Sequence, residues 1–169
     1  CAADGLGLSS RDTVLVIVPL FHANAWGVPY AAAMCGAKLV LPGAALDGAS
    51  VCQLLNDERC NFSMGVPTVW TNFFAYLDKH PGTRPTTLRL VFIGWSAVPQ
   101  AMIDRFEKDL DISVVHLWGM TETSPLGISS TPPHPLADRD TDELRALKIK
   151  QGRAIYGVDL KIVDDNNQA

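Results

Sequence analysis

The residues best suited to chemistry fall in three short segments. Trp118-Gly119-Met120-Thr121-Glu122-Thr123 combines a flat aromatic face, a glycine, hydroxyls and a carboxyl group. Gly119 permits a tight turn or the close approach of a ligand to the backbone. Thr121 offers its hydroxyl to a phosphate oxygen. Glu122 offers a carboxyl to a magnesium ion that carries phosphates, and Trp118 a face to an adenine ring. The same residues also suit a plain loop in which Thr121 caps a turn and Glu122 is solvated. Gly94-Trp95-Ser96-Ala97 is small except for Trp95, which leaves room for a ring or an acyl chain; it equally suits a simple strand–helix connection. Pro19-Leu20-Phe21-His22 places a histidine after an apolar run, where a structural role is more common than a catalytic one.

These segments need elements to hold them. Residues 13–18 read as a strand stopped by Pro19, and residues 23–35 as a buried helix running through Pro29. Residues 38–41 read as a second strand closed by Pro42-Gly43, and Asp47 or Ser50 as the cap of a helix with a Val51, Leu54, Leu55 stripe. Residues 61–64 form a third strand. Pro67 then opens a helix carrying Val69, Trp70, Phe73, Phe74 and Leu77. Residues 88–93 and 112–117 are further strands. Between them lies a helix opened by Pro99, with Met102, Ile103, Phe106 and Leu110 on one face. Such alternation predicts an α/β fold, a mostly parallel βαβ sheet with helices on both faces. Ligands of such sheets sit beyond the carboxyl ends of the strands. All three segments directly follow predicted strands, so they are expected to converge on one edge.

The expected organisation is an α/β unit over residues 1–130, a surface excursion over 131–151 and a β segment over 152–169. The excursion opens with Pro132-Pro133-His134-Pro135 and becomes charged and helical around Glu143, Arg145, Lys148 and Lys150. Leu160, Lys161 and Ile162 alternate as in a strand, and residues 164–167 read as a turn leading to another strand. Cys1 is not an initiator methionine, so an internal piece of a longer chain is expected.

Bulk composition narrows the class. The 169 residues are 47% hydrophobic and 19% charged, an ordinary globular balance. A net charge of −4 and an isoelectric point near 5.4 give no electrostatic footprint for nucleic acid or an anionic membrane. No apolar run is long enough to span a bilayer. Cys1, Cys35, Cys52 and Cys60 form no metal-binding spacing and read as free, mostly buried thiols, which points to a reducing, cytoplasmic setting.

Read together, the segments resemble the adenylate-forming, or AMP-binding, superfamily. Residues 118–122 (WGMTE) resemble its Y/W-G-x-T-E motif and residues 18–27 (VPLFHANAWG) its P-L-F-H motif. Residues 94–99 (GWSAVP) look like its G-G-S/A-A-x-P segment and residues 65–70 (GVPTVW) like the start of its acyl-pocket helix. Residues 152–164 (GRAIYGVDLKIVD) look like its G-R-x-x-x-G stretch. Asn24-Ala25-Trp26 and the excursion around residues 144–150 are similar to the medium- and long-chain fatty-acyl-CoA ligase branch.

The resemblance implies a ligase that condenses a carboxylic acid with ATP to an acyl-adenylate, releasing pyrophosphate, and then passes the acyl group to coenzyme A. It implies magnesium, a role in fatty acid metabolism, and a homodimer. It places Trp118 on adenine, Thr121 near the α-phosphate and Glu122 on magnesium, with Gly119 and Met120 beside the nucleotide. It places Gly94, Trp95, Ser96 and Ala97 along adenine and the acyl chain. His22 falls near the acid's carboxylate, and Trp26, Gly65 and Val66 on the acyl side. An aryl-acid ligase or luciferase-like enzyme, or a remnant that only binds a nucleotide or partner, are the rival readings.

Two departures from the pattern carry expectations. Trp95 stands where the family usually has glycine, which predicts a shortened pocket and compact acids. The family's phosphate loop and its terminal catalytic lysine are missing from these residues, so the isolated chain is expected to be inactive.

Overall fold

The computed structural model describes residues 6–131 and 142–168. Cys1 and the Pro132-Pro133-His134-Pro135 run lie outside the described residues, as do the side chains of Glu143 and Arg145. The strands are β1 (Thr13–Val16), β2 (Lys38–Val40), β3 (Phe62–Gly65), β4 (Leu90–Gly94), β5 (Ser113–Gly119), β6 (Leu126–Ser129) and β7 (Arg153–Ala154). They form one sheet in the order β2-β1-β3-β4-β5-β6-β7. The β2, β1, β3, β4 and β5 strands run parallel, and β6 and β7 are each antiparallel to the strand before them.

Period-two alternation sends neighbouring residues to opposite faces. On one face Leu15, Val91, Ile93 and Val114 pack under helices α2 (Gly48–Asp57), α3 (Pro67–Lys79) and α4 (Gln100–Asp104). On the other, Val14, Val16, Phe62, Met64, Phe92 and Leu117 meet α1 (Val28–Cys35). Both faces are covered, which is why β1, β3 and β4 read as unbroken apolar runs. The larger core centres on Phe106, whose ring lies 5.3 Å from Trp70 and 4.7 Å from Phe74. Phe106 belongs to a wider helical turn, Arg105–Asp109, that continues α4. Asp47 caps α2, its Oδ1 accepting from the Ala49 and Ser50 N–H groups at 3.0 Å each.

The amino ends of the strands are tied by one network. Asp12, Asn61 and Arg89 each immediately precede a strand. The Asp12 carboxylate accepts from Ser9 N (2.8 Å), Ser9 Oγ (2.9 Å), Asn61 Nδ2 (3.0 Å) and Arg89 Nη2 (2.7 Å). Asn61 Oδ1 accepts from Thr13 N at 2.9 Å. Burial alone would raise the pKa of Asp12. The Arg89 hydrogen bond, the two from Ser9 and the Arg89 charge outweigh it and hold the carboxyl below its ordinary value.

The structure corrects several expectations. Residues 23–35 are not one helix. Ala23, Asn24, Ala25 and Trp26 wind in the left-handed sense with φ of 43°, 52°, 48° and 55°, and α1 begins only after Gly27. Pro29, lacking an N–H, fits the first turn of α1 and would break a helix that ran through it. Strand β6 lies where the sequence pattern marks no strand. Of the expected β segment over 152–169, the ladder takes only Arg153–Ala154; Leu160 and Ile162 are exposed and outside it. The excursion does contain a helix, α5 (Asp142–Ile149), and it is docked rather than free. Its Leu144 is buried and its Lys148 pairs with Glu107 at 2.6 Å. Cys52 and Cys60 are buried free thiols, and burial pushes Cys60 up to about 11; Cys35 is only half-buried. No described helix is long and apolar enough to cross a membrane.

Candidate active site

Parallel pairing brings the carboxyl ends of β1, β3, β4 and β5 to one edge of the sheet. His22 arrives there through a turn closed by its own N–H donating to Pro19 O at 3.0 Å. Its imidazole meets the indole of Trp95, centroids 3.8 Å apart and planes at 76°. The His22 Nε2 atom is buried and has no hydrogen-bond partner among the described residues. Trp95 follows β4 directly. Its backbone is in the left-handed region, φ 79°, which is rare for a bulky residue.

Beside this pair lies a cavity of about 280 Å³, walled mainly by Trp26, Gly27, Gly94, Trp95, Trp118 and Gly119. Close packing explains two of the glycines. A Cβ at Gly94 would meet Leu117 O at 2.9 Å and the Trp26 ring at 3.4 Å. A Cβ at Gly119 would collide with the Pro125 carbonyl oxygen, where the chain turns back into β6. The Trp118 indole lies over Gly127 of β6, where a Cβ would meet its ring at 2.9 Å.

Beyond Gly119 the chain makes one tight helical turn, Thr121–Thr123. Thr123 holds the turn: its hydroxyl accepts from Met120 N at 3.0 Å and approaches Pro125 O at 2.6 Å. Thr121, Glu122 and Met120 are exposed on this turn, and none of them walls the cavity. Among the described residues no group of three or more His, Cys, Asp or Glu side chains is arranged to hold a metal ion. One exposed carboxyl still suits magnesium, which is commonly held by one or two carboxylates plus substrate phosphates.

Several expected site residues are thus brought together: His22, Trp26, Gly94, Trp95, Trp118 and Gly119. Ser96 and Ala97 are exposed next to Trp95 without walling the cavity. Gly65 and Val66 do not line it either. Gly65 is buried against the Trp70 indole, 3.1 Å from a Cβ position to Nε1, so its lack of a side chain serves the core. Nothing in the residue pattern marks Thr123 as the brace of the turn or Pro125 and Leu126 as cavity wall. A serine–proline step after the motif is the one signal that the chain reverses there.

The profile of the AMP-binding enzyme family matches residues 1–169. The chain belongs to that family. Over 162 residues it is 49% identical to a medium-chain-fatty-acid–CoA ligase of Ectopseudomonas oleovorans, covering 96% of this chain and 30% of the relative. Over 163 residues it is 42% identical to a 3-methylmercaptopropionyl-CoA ligase of Ruegeria lacuscaerulensis, again 96% and 30%. Among solved structures, a long-chain-fatty-acid-CoA ligase from Archaeoglobus fulgidus superposes with a TM-score of 0.77 at 20% identity, covering 96% of this chain and 32% of that one, a likeness of fold. This AMP-binding chain spans about 30% of the length of the curated relatives it matches.

Proposed function

We propose that the protein containing this chain is an acid–CoA ligase. It activates a carboxylic acid with ATP to an acyl-adenylate, releasing pyrophosphate, and then forms the coenzyme A thioester. The observation that carries this reading is the cavity itself. In a chain 49% identical to a medium-chain-fatty-acid–CoA ligase, the Gly94-Trp95 and Trp118-Gly119 segments wall one apolar space at the carboxyl edge of a parallel sheet, and His22 touches its Trp95 wall.

The roles follow from position. Trp118 offers an indole at the cavity wall as a stacking surface for adenine, and Gly119 lets the nucleotide approach the backbone. Thr121 presents its hydroxyl on the exposed turn for the α-phosphate. Glu122 presents its carboxyl there for a magnesium ion, which when bound offsets the charge of the phosphates. His22 lies behind Trp95 with its buried Nε2 unpartnered among the described residues, the polar group nearest the acid's head group, while Trp26, Gly94 and Trp95 shape the space for its body. Donors and a cation fixed in advance stabilise charge that develops at phosphorus. The relatives' names span medium-chain and 3-methylmercaptopropionyl products, so similarity alone does not choose the acid. The cytoplasm and a homodimeric state are part of the same proposal. So is the inactivity of the isolated residues, which contain no glycine-rich phosphate loop with its lysine.

The test is acid-dependent ATP–pyrophosphate exchange by the full-length protein across a series of acids. Glu122→Gln is expected to lower exchange by about 100-fold or more, the scale seen when one charge-stabilising group is removed. A folded protein that exchanges with no acid would leave nucleotide or partner binding as its function.

A further inference from the structure

We infer that Trp95 is the residue that sets the size of the acid, and that the substrate class is compact carboxylic acids with a short apolar body. The inference rests on the ligase reading above.

The first ground is the construction of the cavity. Its other large walls pack against the sheet or belong to it: Trp26 lies against Gly94, Trp118 lies over Gly127, and Leu117 belongs to the buried cluster under α1. Trp95 is different. At 52% exposed it is the one large apolar wall residue that stands mostly outside the packed core. Its wall is therefore the one that a single substitution removes without cutting into the fold.

The second ground is the backbone. At φ 79° a glycine is unstrained, whereas a side chain meets the backbone around it. A bulky residue held in such a conformation points to a use for its side chain. Here that use is visible in space. The indole borders the cavity and makes an edge contact with His22 at 3.8 Å. His22 is not itself a wall residue, and its Nε2 is buried without a partner. Trp95 thus belongs both to the cavity wall and to the ring contact with His22, closing the space at the end nearest the histidine.

The chemistry of the ligand follows. Among the described residues no lysine, arginine, aspartate or glutamate lines the space, which suits an acid with an uncharged, apolar body. With the indole in place, added methylenes meet a ring rather than a tunnel. With glycine in its place, each methylene that enters gains its burial.

The experiment compares kcat/KM for butanoate, hexanoate, octanoate and dodecanoate in the full-length protein and its Trp95→Gly and Trp95→Phe variants. The wild type is expected to be best with the shortest acids. In Trp95→Gly the octanoate-to-butanoate ratio should rise, by roughly fourfold for each methylene added. Trp95→Phe should shift it less, in the same direction, and reports the effect if the glycine variant folds poorly. A second readout needs no turnover: carbethoxylation of His22, followed by peptide mass spectrometry, should run several-fold faster in Trp95→Gly. A wild type that exchanges but prefers dodecanoate, ratios that stay put in both variants, or unchanged His22 labelling would overturn the inference alone. Exchange with no acid at all would overturn the ligase reading beneath it.

Discussion

The two ends of the sheet are built on opposite principles. At the amino ends, Asp12, Asn61 and Arg89 stand one residue ahead of β1, β3 and β4, and every bond of the Asp12 carboxylate is made within the protein. At the carboxyl ends, His22 keeps a buried nitrogen without a partner, Trp95 sits on a left-handed backbone, and four residues before Gly27 wind the wrong way. A buried polar group lacking a bond costs about 1–3 kcal/mol, and left-handed residues add their own cost. Arg59 and Asp111, just ahead of β3 and β5, are left-handed as well, so what separates the two edges is the fully bonded Asp12 carboxylate at one and the unpartnered His22 nitrogen beside the cavity at the other.

Substitutions can break that contrast. The largest effect is expected at the carboxyl edge with Gly119→Ala. Its Cβ would strike the Pro125 carbonyl, so the β5–β6 reversal and the Thr121–Thr123 turn must move together. Displacements of this kind cost about 100-fold in rate, and acid-dependent exchange should fall accordingly. At the amino edge, Asp12→Ala should instead lower stability by about 2–3 kcal/mol, read from urea unfolding, because it strands donors that bonded a charged acceptor. Its exchange kinetics, measured well below the unfolding transition, should match wild type. A variant that unfolds normally but loses exchange would erase the proposed division.

The smallest effect sharpens the comparison through pH. The folded Asp12 carboxyl titrates below the ordinary value of 3.8. A lowered carboxyl pKa stabilises the fold fully above the unfolded-chain value and loses that contribution as pH falls through the folded one. The stability advantage of wild type over Asp12→Asn should therefore be constant from pH 7 to about 5, and shrink only below 3.8. An advantage that fades near pH 6 would mean that another group is being measured.

Much of this was legible in the sequence, for definable reasons. Glycine and proline punctuation marked the ends of β1, β2 and β4, and β-branched runs marked the strands themselves. Because parallel strands share a direction, locating the three segments after strands was enough to predict that they meet. What escaped depended on packing. Ala23-Asn24-Ala25-Trp26 has the composition of a right-handed helix, and nothing local in it announces the opposite hand. The four residues of β6 are too few to show a period. Nothing local says that a side chain at Gly65 would meet the Trp70 ring; only the assembled core shows it.

The His22–Trp95 contact also constrains how this patch can change. It joins residues that arrive on different strands, and Trp26 lies against Gly94, the neighbour of Trp95. Side chains that touch do not respond independently to replacement. Positions 22, 26, 94 and 95 therefore form one epistatic block: the worth of any new residue at one of them is fixed by what occupies the other three, and a path to a different acid runs through paired changes rather than single steps.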